Sequence, residues 1–101
     1  MIYQTAHFQV KPGALEICQQ AIRELVDYVR ANEPETRMYL AMNRDDDATR
    51  FVHVFIFEND IARDRHANSD AVKRFSAILY PNCVAPVEFI EYALVAEKWV
   101  A

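Results

Sequence analysis

Apolar side chains recur along this chain with two different periods, and each change of period marks the border of an element. Ile2, Ala6, Phe8 and Val10 alternate with Tyr3, Thr5, His7 and Gln9, which predicts a strand over residues 2–10 in which Gln4 interrupts the apolar side. Lys11, Pro12 and Gly13 then read as a type II turn, with Pro12 fixing φ at the first corner and Gly13 supplying a positive φ at the second. From Ala14 the spacing becomes three or four. Leu15, Cys18, Ile22, Leu25 and Val29, flanked by Ala21 and Val26, oppose Glu16, Gln19, Arg23, Glu24, Asp27 and Arg30. This is an amphipathic helix, stopped near Asn32 because Pro34 pushes Glu33 out of the α region.

Arg37 to Asn43 returns to period two, with Met38, Leu40 and Met42 against Tyr39 and Ala41, so both sides carry apolar groups. The link Arg44 to Thr49 holds Asp45, Asp46 and Asp47, which are hard oxygen ligands. No EF-hand pattern surrounds them, and they read as a solvated hairpin turn. Arg50 to Phe57 is the strongest strand, Phe51, His53, Phe55 and Phe57 alternating with Val52, Val54 and Ile56, and it is expected to be central. Asn59 or Asp60 can cap a short helix through Ile61, Ala62 and His66. Ser69 can cap a second helical turn with the stripe Val72, Phe75, Ile78 and Leu79, ended by Pro81. Pro86 opens a last strand, Val87 to Val95. The tail, residues 96–101 with Trp99, Val100 and Ala101, has no evident place in the domain, and Trp99 is expected to pack on something.

Strand, helix, strand, strand, helix, strand predicts an α+β, ferredoxin-like βαββαβ fold in which right-handed crossovers put the helices on one face of a four-stranded antiparallel sheet. The 101 residues suit one domain spanning 1–101. Because the middle strands are apolar on both sides, the second face would expose far more than a few hundred Å² of apolar surface. A second copy packing sheet against sheet buries it with closed two-fold symmetry, so a homodimer is expected.

Composition narrows the function by exclusion. A net charge of -4, with Arg63, Arg65, Lys73 and Arg74 interleaved with Asp64 and Asp70, gives no basic surface for nucleic acid or an acidic membrane. No apolar run approaches the ~20 residues of a membrane span, and the N-terminus lacks the pattern of a signal peptide, so a soluble cytoplasmic protein is expected. A single glycine excludes the Gly-rich phosphate cradles. Cys18 and Cys83 belong to no CxxC spacing and read as reduced, structural thiols.

The element order, together with Phe57-Glu58-Asn59-Asp60-Ile61-Ala62-Arg63-Asp64-Arg65-His66 followed by Ser69 and Phe75, resembles the antibiotic biosynthesis monooxygenase domains. Those are dimeric α/β-barrel proteins that include quinol monooxygenases. The resemblance covers nearly the whole chain. The family's strand-closing aromatic is matched by Phe57, its helix alanine by Ala62 and the histidine four residues on by His66, while the Ser-Pro-His-Phe-like segment after it is Ser69, Asp70, Ala71 and Val72 here. Three positions depart from the pattern: a frequent glutamate is Phe55, a helix leucine is Arg63, and the second histidine is Ala71. The haem-degrading branch is similar in outline, but its strand-one asparagine falls on Ala6, its helix tryptophan on His66 and its axial histidine near Ser76, which leaves no iron ligand.

The resemblance implies cofactor-independent oxygenation of a small aromatic quinol or phenol between sheet and helices, with the substrate supplying the electrons and no metal or flavin required. His66 is the candidate base, since imidazole titrates near 6.5 and shares a helical face with Ala62. The competing reading is a helix-end histidine bonding a carbonyl. Phe57, Phe75 and Tyr80 are candidates to stack on a flat substrate, against the reading that they are ordinary core. Arg37 and Tyr39 are candidates to meet a substrate at a strand start, Arg37 through an anionic group. His7 and His53 lie on strands expected to be neighbours, but two ligands without a third do not make a metal site. Two other readings share the fold: a non-catalytic binding dimer, and an isomerase that moves a proton without O₂.

Overall fold

The computed structural model describes residues 1–99. Four strands, β1 (Ile2–Gln9), β2 (Thr36–Asn43), β3 (Arg50–Phe57) and β4 (Glu88–Tyr92), form one antiparallel sheet in the order β2-β3-β1-β4. Helices α1 (Leu15–Asn32), α2 (Asp60–Ala67) and α3 (Asp70–Leu79) lie on one face of it. This is the expected ferredoxin-like α+β fold, with β3 and β1 in the middle.

Residues directly opposite in an antiparallel ladder share a face. Ala6, Phe8, Phe51, His53, Phe55, Phe57, Tyr39 and Phe89 therefore point toward the helices, and Tyr3, His7, Leu40, Met42, Val52, Val54 and Tyr92 toward the other side. The covered face is filled by Cys18, Ala21, Ile22, Leu25 and Val29 of α1 and by Ala71 and Leu79 of α3. The uncovered face leaves Leu40, Met42 and Tyr92 between 44% and 49% exposed. The facing rule also separates the two strand histidines: His7 bonds Thr5 on the open face, while His53 is buried beneath the helices.

Two details differ from the expectation. The turn after β1 is a 3-10 turn, Pro12–Ala14, and Gly13 has no positive φ. Pro12 suits the first position of a helical turn as well as a turn corner, and the chain runs directly into α1, with Ala14 N–H donating to Lys11 O at 2.9 Å. The last strand stops at Tyr92, opposite Tyr3; past that pair β1 offers only Ile2, so Leu94 and Val95 lie beyond the end of the neighbouring strand. Residues 93–99 run on without regular structure, Val95 is 98% exposed, and among the described residues Trp99 bonds only Glu97, at 2.9 Å. Val100 and Ala101 lie outside the described residues. The Asp45 to Asp47 segment is the expected hairpin turn, in which Asp46 pairs with Arg44 and Asp47 accepts from Thr49 and Arg50.

The candidate active site

Two caps place α2 and α3. Asn59 Oδ1 accepts from Ala62 N–H at 2.9 Å, and Ser69 Oγ accepts from Val72 N–H at 3.1 Å. With α2 started at Asp60, Ala62 and His66 fall on its one buried face, above Phe55 and Phe57 of β3. The His66 ring sits 5.4 Å from that of Phe57 and 5.8 Å from that of Tyr39. It does not bond a helix carbonyl. Its Nδ1 donates instead to Glu33 Oε1 at 2.8 Å, with both residues only 8% exposed.

Glu33 is held for this contact from both sides. Its N–H donates to Val29 O at 2.9 Å, closing α1, and Thr36 Oγ1 donates to the same Oε1 at 2.8 Å. Glu33 Oε2 is buried with no partner among the described residues. Arg65 reaches Glu35 at 3.3 Å and ties α2 to the same corner of the chain. With Nδ1 committed to a carboxylate, the nitrogen left to His66 for a ligand is Nε2.

A second pair lies deeper. The Tyr39 hydroxyl is 2.9 Å from His53 Nδ1. Burial, reinforced by nearby Glu33, pushes the Tyr39 phenol far above its ordinary value, and burial pushes the His53 imidazole down to about 4. Both are therefore neutral near pH 7, and the phenol O–H donates to Nδ1, which leaves one group, His53 Nε2, without a partner rather than two.

These side chains border two adjoining spaces. An inner chamber of about 60 Å³ touches Tyr39, His53, Phe75 and Leu79, and an outer one of about 390 Å³ touches Gln4, Phe57, Arg63, Asp64 and Ala67. Phe55, His66, Val72, Ser76, Tyr80 and Phe89 border both. Of the residues singled out in the sequence, the structure brings His66, Phe57, Phe75, Tyr80 and Tyr39 to these walls. Arg37 it does not: this side chain is exposed, 3.9 Å from Glu58, at the irregularity in the β2–β3 ladder, and it borders neither chamber. Ser69 is a cap, as its position suggests. Among the described residues no group of three His, Cys, Asp or Glu side chains is placed to hold a metal ion.

Sequence reasoning missed Glu33 and the Tyr39–His53 bond. A signal for Glu33 exists in the spacing, since it lies four residues beyond Val29 and so continues the buried stripe of α1 with a carboxylate. A carboxylate at such a position requires a partner. Nothing in the sequence says which.

The geometry can be set beside known proteins. The antibiotic biosynthesis monooxygenase family model matches residues 1–78. A crystal structure of an antibiotic biosynthesis monooxygenase superposes with a TM-score of 0.89 at 23% identity, covering 95% of this chain and 100% of that one. A candidate family member from Nitrosomonas europaea gives 0.86 at 18%, covering 95% and 100% of the two chains, and one from Caulobacter crescentus gives 0.86 at 19%, covering 94% and 90%. At these identities the structures speak for the fold, and no curated protein matches the sequence. The family model spans β1 through nearly all of α3, including Glu33, Tyr39, His53 and His66, and on that match this chain belongs to the antibiotic biosynthesis monooxygenase family.

Proposed function

We propose that the protein is a cofactor-independent monooxygenase that oxidises a small aromatic quinol or phenol with O₂, using His66 as the base. The observation that carries this reading is the buried Glu33–His66 pair on the wall of an aromatic chamber. A carboxylate on Nδ1 fixes the tautomer that leaves Nε2 as acceptor and stabilises the imidazolium formed when Nε2 takes a proton. His66 removes the substrate hydroxyl proton, the resulting anion gives an electron to O₂, and the two radicals combine at a ring carbon. Loss of water from the hydroperoxide leaves a new carbonyl. For a phenol such as 1-naphthol the sum is C₁₀H₈O + O₂ → C₁₀H₆O₂ + H₂O, which balances without an external reductant, metal or flavin. Phe57, Phe75, Tyr80 and Tyr39 supply aromatic walls for the ring, and Arg37 has no part.

The assembly belongs to the same proposal. The open sheet face, with Leu40, Met42 and Tyr92 half exposed, suits a second copy packed face to face. We read the chain as one domain and place it in the cytoplasm; no helix among the described residues is long and apolar enough to cross a membrane.

Oxygen uptake over a panel of naphthoquinols and anthrones, measured on metal-stripped protein, tests the chemistry. Uptake above autoxidation that falls about a hundredfold in His66→Ala is expected, the scale of losing a general base. Uptake that never exceeds autoxidation, or that survives the substitution unchanged, refutes it. Ligand-induced thermal stabilisation without uptake would favour the binding dimer or the isomerase.

A further inference from the structure

Charge is arranged unevenly around the outer chamber. Arg63 is the cation on its wall, and its guanidinium is already taken: it lies 3.0 Å from Asp60 Oδ1 and 2.5 Å from Glu91 Oε1. Asp64, on the same wall, has no cationic partner among the described residues. The mouth therefore sets one cation against three carboxylates, on α2 and on the edge strand β4. The remaining polar wall groups include the uncharged Gln4 and Ser76, and the rest is largely aromatic, with Tyr80 and Phe89 half exposed at the opening.

We infer that this mouth selects uncharged hydroxyarenes and rejects aromatic carboxylates; the inference rests on reading the chamber as the ligand site. The strongest grips on a carboxylate in proteins include a free guanidinium or ammonium group. Here it would have to displace Asp60 or Glu91 from Arg63 and pass Asp64 as it did so. A neutral hydroxyarene meets no such obstacle, and its flat faces match Tyr80 and Phe89. The volume of about 390 Å³ lies within the range of small-molecule sites. Arg63, Asp64 and Glu91 are thus specificity-determining residues that take no part in the reaction itself.

Calorimetric titration without oxygen, using 1-naphthol and 1-naphthoate as probes, reads the selection directly. Wild type is expected to bind 1-naphthol about tenfold or more tightly than 1-naphthoate. The double variant Asp64→Asn, Glu91→Gln removes two carboxylates and frees one side of Arg63. It should improve 1-naphthoate about three- to tenfold at low ionic strength, the size of one or two partly screened charges, and leave 1-naphthol within about twofold. The gain should shrink as salt rises from about 20 mM to about 500 mM. Equal or tighter binding of 1-naphthoate to wild type, a variant that moves both probes together, a gain indifferent to salt, or binding of neither probe overturns the inference. Oxygen uptake has no part in the readout. Selection with no turnover would refute the monooxygenase alone, and turnover without selection would refute this inference alone.

Discussion

His53 should make the native state sensitive to acid, and the size of the effect follows from its surroundings. The ring is 1% exposed, lies 5.0 Å edge-on from Phe8 and near-parallel to Phe75 at 6.1 Å, and has no charged partner. Burial holds its imidazole at about 4 in the folded chain, against about 6.5 for a histidine in water. The folded value is the depressed one, so the contribution to stability is complete above pH 6.5 and is lost as pH falls toward 4. Over that interval the unfolded chain binds a proton that the native chain refuses. Linkage then gives a loss of about 2 kcal/mol between pH 7 and pH 5, and about 3 kcal/mol by pH 4, from this one side chain.

His53→Gln tests this, because glutamine cannot titrate yet can still accept the Tyr39 hydroxyl. It should cost about 1–3 kcal/mol at pH 7 through lost ring packing. Urea unfolding at a series of pH values from 7 to 5 measures both proteins. Other groups contribute equally to each, so the difference between the two curves isolates His53. Wild type should lose about 2 kcal/mol more than the variant over that range. Parallel curves would refute the reasoning, since they would mean that His53 takes up its proton in the folded state as easily as in water.

Other substitutions probe separate parts of the structure. Gly13→Ala should stabilise by about 0.4–1 kcal/mol in thermal or urea melts, because Gly13 has no positive φ and a Cβ there meets nothing within 4 Å; a loss of stability would mean that the turn needs glycine. Ser69→Ala removes the α3 cap and the hydroxyl that bonds His66 O, and should cost about 1 kcal/mol in the same melts. Leu40→Glu places a charge on the open sheet face, where Leu40 is 46% exposed, and should convert a dimer to a folded monomer by light scattering. A wild-type monomer, or a variant with unchanged mass, would refute face-to-face pairing.

The fold was legible because its signals are local. Period-two and helical spacing, Pro34, Asn59, Ser69 and Pro81 each act within a few residues, and together they left one economical topology. The errors were local in another sense. A Pro-Gly pair is compatible with a type II turn and with a helical first turn, and only the direct entry into α1 decides between them. The apolar alternation from Val87 to Val95 describes a strand in prospect, but a strand lasts only as long as its neighbour, and β1 has a single residue, Ile2, beyond the Tyr3–Tyr92 pair.

The site was less legible because its bonds join distant positions. His66 could be nominated from its own chemistry, but the contact that sets its ring apart is with a carboxylate 33 residues away. Glu33 reaches it only because α1 ends at Asn32, just before Glu33 and Pro34, Thr36 folds back onto the same carboxylate, and α2 lies across β3 with His66 inward. The same contact leaves no role for a carboxylate at Phe55, where the family pattern that this chain resembles often has glutamate. A carboxylate from the end of α1 already occupies His66 Nδ1, so one projecting from Phe55's position on β3 would meet a ring with no free Nδ1–H and a wall of aromatic groups. Phe55→Glu should therefore destabilise the fold through an unpaired buried charge, by several kcal/mol, without creating a second anchor for His66. A stable Phe55→Glu protein that tolerates Glu33→Ala would show instead that either strand or helix can supply the carboxylate, and that Glu33 holds its place by accident of sequence rather than by geometry.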